Sequence, residues 1–444
     1  MANHPDKFDV VLIETASYTG GQATSIPLDE SKYGASWLND GVQGGSSIFQ
    51  HTFRFFRLYG HEPHPVKLQV SFGKGRDSFY TNVFPSPLVD QFSGEIKKFG
   101  RALKCIKCLL PILGILPLKI VLRLFRFNDD FTNRMLIPLV ALFLGTGNQT
   151  PNVPSALLER LLDDKNMRLW DYDDDALLAN LPTMYTFPNL GDFYRDWTAD
   201  LRSKGVTVRL DTTATVLERG KNGIILQSQV NDGDSGPVIE EFDDMVLCCL
   251  ADDAKKVLGQ HATRREKYVL GGVKFFEDIT ITHTDSNYFQ QVFETRYTPD
   301  LCGESSTKQR KEQIAFAAQH PRSQKDGWIG FRPMYFTHSA PPGSDKIEMG
   351  FDCTHYQHQF REQLGMNQPS PPPERHVYQT IFLNHQENDL WTWDAIDESK
   401  IICRKWWHQM GHRWQHYVRV LPGMMFINGI NRTLYAGAWT MVVS

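Results

Sequence analysis

The stretch Phe8-Asp9-Val10-Val11-Leu12-Ile13-Glu14 is a short apolar run that ends on a carboxylate. Runs of this kind are typical of strands that lie inside a parallel sheet, where both faces are covered. Parallel strands are joined by helical crossovers, so such a strand favours an α/β fold. We therefore predict a buried parallel strand at the start of the chain, with Glu14 at its carboxyl end.

A glycine pair follows this strand. Gly20-Gly21 lies six residues after Glu14 and is followed by the polar residues Gln22-Ala23-Thr24-Ser25. In Rossmann-type folds an acid at the carboxyl end of a strand accepts a hydrogen bond from a ribose hydroxyl. Glycines beyond it let the backbone approach a pyrophosphate closely. The two features together predict a dinucleotide-binding unit.

The Gly-rich turn of such units normally lies about 20 residues before the acid. Only seven residues precede Phe8, so this sequence has no counterpart of that turn. Loss of the strand that leads into the turn would leave unpaired backbone on its neighbours. Three explanations are open: a truncated gene model, a degenerate enzyme, or a fragment completed by another chain. We expect truncation.

Composition limits the class of protein. The chain has 444 residues, a length that favours two domains. Hydrophobic residues make up 41% and aromatic residues 12%, as in ordinary globular proteins. A net charge of −4 provides no basic field for nucleic acid. The odd number of cysteines and the polar N-terminus indicate neither a disulfide framework nor a signal peptide. We expect a cytoplasmic protein, not a secreted one.

Residues 101–127 combine six cations with apolar side chains and contain no acid. Their longest uncharged run, Cys108 to Leu118, is too short to span a bilayer, and Pro111 and Pro117 would interrupt a helix. The pattern predicts a broken basic helix. Its apolar side could pack on the protein, or the helix could lie on a membrane surface.

The remaining pattern alternates between helical and extended segments. Helices are predicted over 46–59, most of 130–203, 252–258 and the aromatic-rich stretch 400–417. The stripe Leu157, Leu158, Leu161 and Leu162 is expected in the core. Strands are predicted within 66–82 and at 206–210, 214–218, 223–227 and 242–250. Residues 303–327 and the Pro-rich stretch 366–375 are expected to be polar surface loops.

No metal site is predicted. His408, His412 and His416 would share one face of a helix, but no carboxylate or thiolate ligand lies beside them. Cys105 and Cys108 have CxxC spacing but lie in an apolar helical stretch without a second pair. We interpret both groups as structural. No nucleophile or acid–base pattern stands out, so the catalytic residues are unknown.

Several separated features also occur in a definite order. After the glycine pair come Asp40-Gly41-Val42-Gln43, a helical insert, Phe187-Pro188-Asn189-Leu190-Gly191 and the strands of 206–218. The strand and helix of 242–258 follow, and last comes Leu434-Tyr-Ala-Gly-Ala-Trp439. This order resembles the FAD-dependent amine oxidase and phytoene desaturase superfamily, and most nearly its predicted NAD/FAD-binding dehydrogenase branch. The C-terminal helix of that family has no counterpart here.

The resemblance implies roles for particular residues. Glu14 would bind the adenosine ribose, and Gly20, Gly21 and the backbone of Gln22 to Ser25 would lie along the pyrophosphate and ribityl chain. Asp40, Gly41 and Val42 would pass near the flavin ring. Val216 would present its backbone to the adenine. The ribityl side would be closed by Gly437, Ala438 and Trp439.

The sequence thus predicts an α/β protein with a Rossmann-like FAD-binding domain and a substrate domain of mixed sheet and helices. The expected FAD-binding ranges are 1–65, 204–262 and 415–444, and the substrate-domain ranges are 66–203 and 263–414. The resemblance implies an FAD-dependent oxidoreductase that removes hydride from an apolar small molecule, such as a lipid, isoprenoid or polyketide-like metabolite. The alternatives are an inactive homologue that acts as a binding protein, and a peripheral membrane protein.

Overall fold

The computed structural model describes residues 1–164, 169–178, 180–231, 236–339, 346–365 and 367–440. The chain divides into two compact units. Unit 1 comprises Met1–Ala23, Leu190–Phe275 and Met410–Ser444, and unit 2 comprises Thr24–Asn189 and Phe276–Gln409. The sequence predicts residues 24–65 in the FAD-binding domain, whereas they lie in unit 2. This is the main difference between the expected ranges and the two units. Both units mix helices and strands, so the α/β fold class is confirmed.

Unit 1 contains two separate pairs of parallel strands among its described residues. Val11–Ile13 pairs with Thr207–Arg209, and Met245–Leu247 pairs with Thr433–Tyr435. An antiparallel sheet of three strands comprises Thr212–Arg219, Ile224–Val230 and Val238–Phe242. The helices are Leu190–Ser203, Ala251–Leu258, Arg264–Leu270 and Leu421–Met424, the last preceded by the π-helix His416–Val420. The predicted parallel strand before Glu14 is therefore present, but its residues are half-buried and not buried as expected.

The core of unit 1 holds a buried ion pair. Arg219 and Glu266 are in contact, and each side chain is 1% exposed. Glu266 also accepts hydrogen bonds from the Tyr435 hydroxyl at 2.6 Å and the Thr263 N–H at 2.7 Å. Arg219 donates to the Thr433 hydroxyl at 2.9 Å and the carbonyl of His261 at 3.0 Å. Burial raises the pKa of Glu266, but these hydrogen bonds outweigh it and leave the pKa lowered.

Unit 2 is built around a mixed sheet of seven strands. Their order is Ile401–Gly411, Lys274–His283, Tyr378–Phe382, Ile347–Asp352, Tyr335–Ser339, Val70–Phe72 and Tyr80–Thr81. Smaller sheets pair Ser25–Pro27 with Trp37–Asn39, Arg322–Gln324 with Gly327–Ile329, and Thr183–Thr186 with both Gly44–Ser46 and His64–Lys67. The strands predicted within 66–82 are confirmed, whereas Thr183–Thr186 lies in a stretch predicted to be helical.

The helices of unit 2 come mostly from its first half. They are Glu30–Tyr33, Gln50–Leu58, Pro87–Gln91, Ser93–Cys108, Leu110–Leu113, Leu118–Leu124, Asp129–Phe131, the π-helix Thr132–Leu136, Ile137–Leu144 and Ala156–Leu162. Later helices are Ser286–Val292, Lys308–Ala317, Cys353–Tyr356 and His358–Leu364. The leucine stripe of 157–162 is buried as predicted. Within the predicted helical stretch 130–203, residues 165–168 and 179 lie outside the described residues.

The basic stretch 101–127 forms the broken helix that was predicted. The helix breaks at Leu109 and at Pro117. Pro111 lies in the first turn of the helix Leu110–Leu113 and Pro117 immediately precedes the helix Leu118–Leu124, because proline is not tolerated further inside a helix. Ala102, Leu103, Ile106, Leu118, Val121 and Leu122 are buried and pack on the protein. No helix of the described residues has the length and apolar character needed to cross a bilayer.

Two predicted elements are wrong. Residues 400–417 do not form a helix, because Ile401–Gly411 is an eleven-residue strand at the edge of the large sheet. Its β-branched and aromatic residues favour extended structure, and the Trp407 indole donates to the Thr280 hydroxyl on the neighbouring strand at 3.0 Å. The expected loop 303–327 contains the helix Lys308–Ala317 and the strand Arg322–Gln324, the helix being capped by the Thr307 side chain.

Candidate cofactor-binding site

In unit 1 the first strand leads into a tight turn at Glu14. Its backbone N–H continues the parallel pairing by donating to the carbonyl of Arg209 at 2.9 Å. Its carboxylate accepts a hydrogen bond from the Ala16 N–H at 2.9 Å and stays half-buried. Glu14 therefore lies at the strand end as predicted, with a carboxylate that a ribose hydroxyl could also contact.

The glycine pair has the backbone conformation that a close-approach loop needs. Gly20 and Gly21 have φ angles of +112° and +59°, which side chains rarely adopt. A Cβ on Gly20 would lie 2.6 Å from the ring of Tyr194, whereas a Cβ on Gly21 would have nothing within 4 Å. Gly20 thus packs the loop against the helix Leu190–Ser203, and Gly21 faces open space. This arrangement fits a phosphate-bearing ligand.

The other sequence-predicted residues of unit 1 lie in its strands and final turn. Val216 stands at a β-bulge, where the register between Thr212–Arg219 and Ile224–Val230 shifts, and its side chain is 3% exposed. Trp439 belongs to the same hydrophobic cluster and donates its indole N–H to the carbonyl of Cys249 at 3.0 Å. Gly437 and Ala438 precede it in a turn whose Thr440 hydroxyl bonds the Gly437 carbonyl. Gln22 is exposed on the loop after the glycine pair.

In unit 2, Ser25, Asp40, Gly41 and Val42 lie at one end of a small hairpin. The Ser25 hydroxyl donates to the Asn39 side chain at 2.6 Å across the pairing of Ser25–Pro27 with Trp37–Asn39. Asp40 is 3% exposed, Gly41 is half-buried and Val42 is exposed. The side chains near residue 40 are thus held by polar contacts, and residues 41 and 42 reach the surface of the unit.

Sequence reasoning missed the cation that holds Asp40. The ammonium of Lys405 lies 2.9 Å from the Asp40 carboxylate, 2.7 Å from the Thr24 hydroxyl and 4.5 Å from the centre of the Trp407 ring. Thr24 also donates to Asp40 at 2.5 Å. Lys405 was assigned to a helix, and only the strand places it here. Its partner is 365 residues away, so no local signal could have found the pair.

The histidines of 408–416 are not on a common helix face. His408 lies in the strand Ile401–Gly411 and contacts Glu277, while His416 opens the π-helix His416–Val420. Between them, burial lowers the pKa of His412 to about 4. The structural interpretation of these residues therefore stays, but the helical spacing behind it was wrong.

Comparison with solved structures gives the fold. The CLA-producing fatty acid isomerase from P. acnes superposes with a TM-score of 0.58 at 13% identity, covering 98% of this chain and 88% of that one. Cyclohexylamine oxidase from Brevibacterium oxydans IH-35A gives 0.58 at 10% identity, over 99% and 90%. Wild-type putrescine oxidase bound to putrescine also gives a TM-score of 0.58 at 10% identity, covering 99% of this chain and 90% of that one. No family profile and no curated protein sequence matches the chain.

The chain therefore has the fold of the amine oxidase-like proteins, as the ordered motifs implied. At these identities the likeness concerns the fold and not the reaction. In unit 1, the half-buried Glu14 carboxylate and the open backbone at Gly21 could hold part of a dinucleotide. These residues are compatible with FAD, the cofactor that the sequence resemblance implies.

Proposed function

We propose that this protein is an FAD-dependent oxidoreductase acting on an apolar small molecule. The observation that carries the proposal is a fold shared with two oxidases over 99% of the chain. The open, positive-φ glycine at 21, close to Glu14, supports it independently. When bound, FAD accepts a hydride, which carries the electron pair. The protein positions the cofactor and substrate and excludes water.

The residues proposed for FAD keep the roles given above. Glu14 would accept hydrogen bonds from the ribose hydroxyls, and the loop Gly20 to Ser25 would lie along the pyrophosphate and ribityl chain. Val216, Gly437, Ala438 and Trp439 would contact the adenine and ribityl parts. Asp40, Gly41 and Val42 would lie near the ring, with Lys405 fixing the position of Asp40 through its ion pair.

Spectroscopy of the purified chain tests the cofactor. We expect flavin absorption bands and about one FAD per chain, either as purified or after addition of FAD. Hydrogen bonds to a charged group contribute about 1.5–3 kcal/mol, so Glu14→Gln should weaken FAD binding by about tenfold or more. Riboflavin binding should change little, because riboflavin lacks the adenosine ribose.

Glu218→Gln is the matched control, since Glu218 is an exposed acid in the same unit. A wild-type protein that remains colourless with excess FAD would exclude the enzyme and leave a binding protein as the alternative. Equal effects of the two substitutions on FAD binding would show that Glu14 does not contact FAD, without contradicting FAD as the cofactor.

The substrate class is tested by reduction of the bound flavin without oxygen. Oxidation of a C–H or C–N bond would transfer a hydride, so a true substrate should bleach the flavin bands, and oxygen or another acceptor should restore them. A panel of unsaturated fatty acids and hydrophobic amines covers the chemistry suggested by the names of the fold neighbours. Bleaching only by hydrophilic amines would contradict an apolar substrate.

We also propose that the stretch 101–127 contacts a membrane surface. Four of its apolar side chains are exposed although their neighbours are buried: Leu109 by 49%, Ile112 by 65%, Ile120 by 40% and Leu124 by 61%. The cations Arg101 and Lys104 are exposed in the helix Ser93–Cys108, and Lys119 and Arg123 are exposed in the helix Leu118–Leu124. Exposed apolar and cationic side chains together favour anionic bilayers.

Flotation with liposomes tests this contact. We expect the protein to float with vesicles of anionic lipid and not with neutral ones. The double variant Ile112→Ser, Leu124→Ser should float much less. The control is Leu58→Ser, whose leucine is 68% exposed on the helix Gln50–Leu58. Equal flotation of all three proteins would exclude the stretch as the contact.

A further inference from the structure

Asp352, His355 and His376 form a buried cluster in unit 2, with exposures of 4%, 3% and 2%. Asp352 ends the strand Ile347–Asp352 and caps the short helix Cys353–Tyr356 by accepting the His355 N–H at 3.1 Å. His376 precedes the antiparallel neighbour Tyr378–Phe382, whose register places Tyr378 beside Asp352. The sheet therefore brings together side chains that are 24 residues apart in sequence.

One nitrogen of each imidazole points at the same carboxylate oxygen. Nδ1 of His376 lies 2.7 Å from Asp352 Oδ2, and Nδ1 of His355 lies 3.1 Å from it. The carbonyl oxygen of Pro333 lies 3.3 Å from Nδ1 of His355. The centres of the two rings are 4.6 Å apart and the ring planes are inclined by 78°.

The opposite nitrogens already have acceptors. Nε2 of His376 faces the carbonyl of Pro371 at 3.0 Å, and Nε2 of His355 faces the Ser370 hydroxyl at 3.0 Å. Ser370 can direct its own proton to the Pro371 carbonyl at 3.3 Å. The Pro371 carbonyl can only accept, so Nε2 of His376 donates to it, and a neutral His376 then turns an unprotonated Nδ1 towards the Asp352 carboxylate. Unprotonated acceptors this close repel each other unless a cation lies among them.

We propose that Asp352, His355 and His376 bind one divalent transition-metal ion of the zinc class, as a structural site. Two imidazoles and a carboxylate suit this class of metal. Metal-binding histidines typically donate the second N–H to a hydroxyl or carbonyl. The Pro371 carbonyl accepts from Nε2 of His376, and the Ser370 hydroxyl is placed to accept from Nε2 of His355. The Pro333 carbonyl is placed to be a fourth ligand. The sequence predicted no metal site, and it is sheet pairing that brings His376 to Asp352 from 24 residues along the chain.

The present spacing is close to that of a metal site. Bonds of 2.0–2.1 Å in a tetrahedron separate two ligand atoms by about 3.3 Å, so binding would widen the contacts to Asp352 by a few tenths of an ångström. The competing cation is Arg332, whose charge interacts with Asp352 and whose pKa burial lowers to about 10. Since the cluster is buried, the ion would enter during folding.

Metal analysis of the whole chain tests the proposal. The protein is produced with a non-histidine tag in zinc-supplemented medium and desalted, and a second sample is refolded from denaturant with Co²⁺. We expect about one Zn²⁺ per chain, and visible d–d bands from tetrahedral Co²⁺. Wild-type protein with less than about a tenth of an equivalent of zinc and no Co²⁺ bands would overturn the proposal, leaving an extra proton as the shared cation.

Variants locate the ion. His376→Gln and Asp352→Asn should each reduce bound zinc at least tenfold, whereas His283→Gln should retain it. His283 is a fair control, because it is a fully buried histidine of the same unit with partners at both nitrogens. Undiminished zinc in a folded His376→Gln protein would also overturn the site. If the variants do not fold, wild-type protein without zinc and without Co²⁺ bands still overturns the site.

Discussion

The two units keep polar groups in their interiors by different means. Unit 1 pairs permanent charges, Arg219 with Glu266, and satisfies both with further hydrogen bonds. Unit 2 buries groups that can be neutral, among them His283 and Asp278, both 3% exposed or less. A fully hydrogen-bonded charge pair is insensitive to pH over a wide range, whereas buried neutral groups are not. Stability should therefore respond to pH more through His283 and Asp278 than through the Arg219–Glu266 pair.

The largest expected effect comes from breaking the charge pair. Glu266→Gln leaves Arg219 buried without its counter-charge, so the free energy of unfolding should fall by about 3–5 kcal/mol. Denaturant unfolding followed by tryptophan fluorescence, to which Trp439 of the same core contributes, measures this loss. Because the pKa of Glu266 is lowered, the pair should contribute fully above about pH 4.5 and lose strength only in more acidic solution. A loss below about 1 kcal/mol would contradict this account of unit 1.

The next effect concerns His283. Its Nδ1 accepts the Asp285 N–H at 3.1 Å, its Nε2 faces the Thr380 hydroxyl at 3.0 Å, and burial lowers its pKa to about 3. An unfolded histidine takes up a proton below about pH 6.5, whereas the folded one does not until about pH 3. Stability should therefore fall on acidification by at most about 1.4 kcal/mol per pH unit in that window.

The variant His283→Gln lacks the group that takes up this proton on unfolding. The difference in the free energy of unfolding between wild-type protein and the variant should therefore decrease from pH 7 to pH 5. Unfolding curves measured at several pH values give the difference directly. Parallel pH profiles for the two proteins would show that His283 does not titrate in this way.

Asp278 should change the stability with pH in the direction opposite to that of His283. Burial raises its pKa to about 7, although the Asn384 N–H donates to its carboxylate at 2.7 Å. The unfolded aspartate loses its proton near pH 4 and the folded one only near pH 7, so stability falls as pH rises between these values. Asp278→Asn should be more stable than wild type at pH 8, and this gain should vanish towards pH 4. A gain that is constant with pH would contradict the assignment.

The smallest effect is expected at a surface pair of unit 1. Arg209 and Glu240 are in contact, with side chains 28% and 31% exposed. Pairs in water contribute little, so Glu240→Gln should cost about 0.2–1 kcal/mol, and less at high salt. If this cost equalled that of Glu266→Gln, burial would not be what distinguishes the two pairs.

The sequence predicted elements whose patterns are local. The strand before Glu14 and the strands of 206–227 carry β-branched residues between turn signals, and the leucines of 157–162 recur at helical spacing. The strand Ile401–Gly411 was not predicted, because the aromatic-rich stretch 400–417, with histidines at 408, 412 and 416, also matched a helical period. The Asp40–Lys405 pair and the Asp352–His376 contact could not be predicted, since sheet pairing and tertiary packing, not spacing along the chain, bring them together.

The contrast between Gly20 and Gly21 also bears on natural variation. Every replacement of a glycine by another residue introduces a Cβ. At position 20 that atom would meet the Tyr194 ring, so no such variant should persist in a working lineage. At position 21 no protein atom of the described residues lies within 4 Å of such a Cβ, so the φ of +59° and the proposed pyrophosphate are what would oppose it. Two neighbouring glycines would thus be retained for different reasons, the first by the packing of the protein and the second by its ligand.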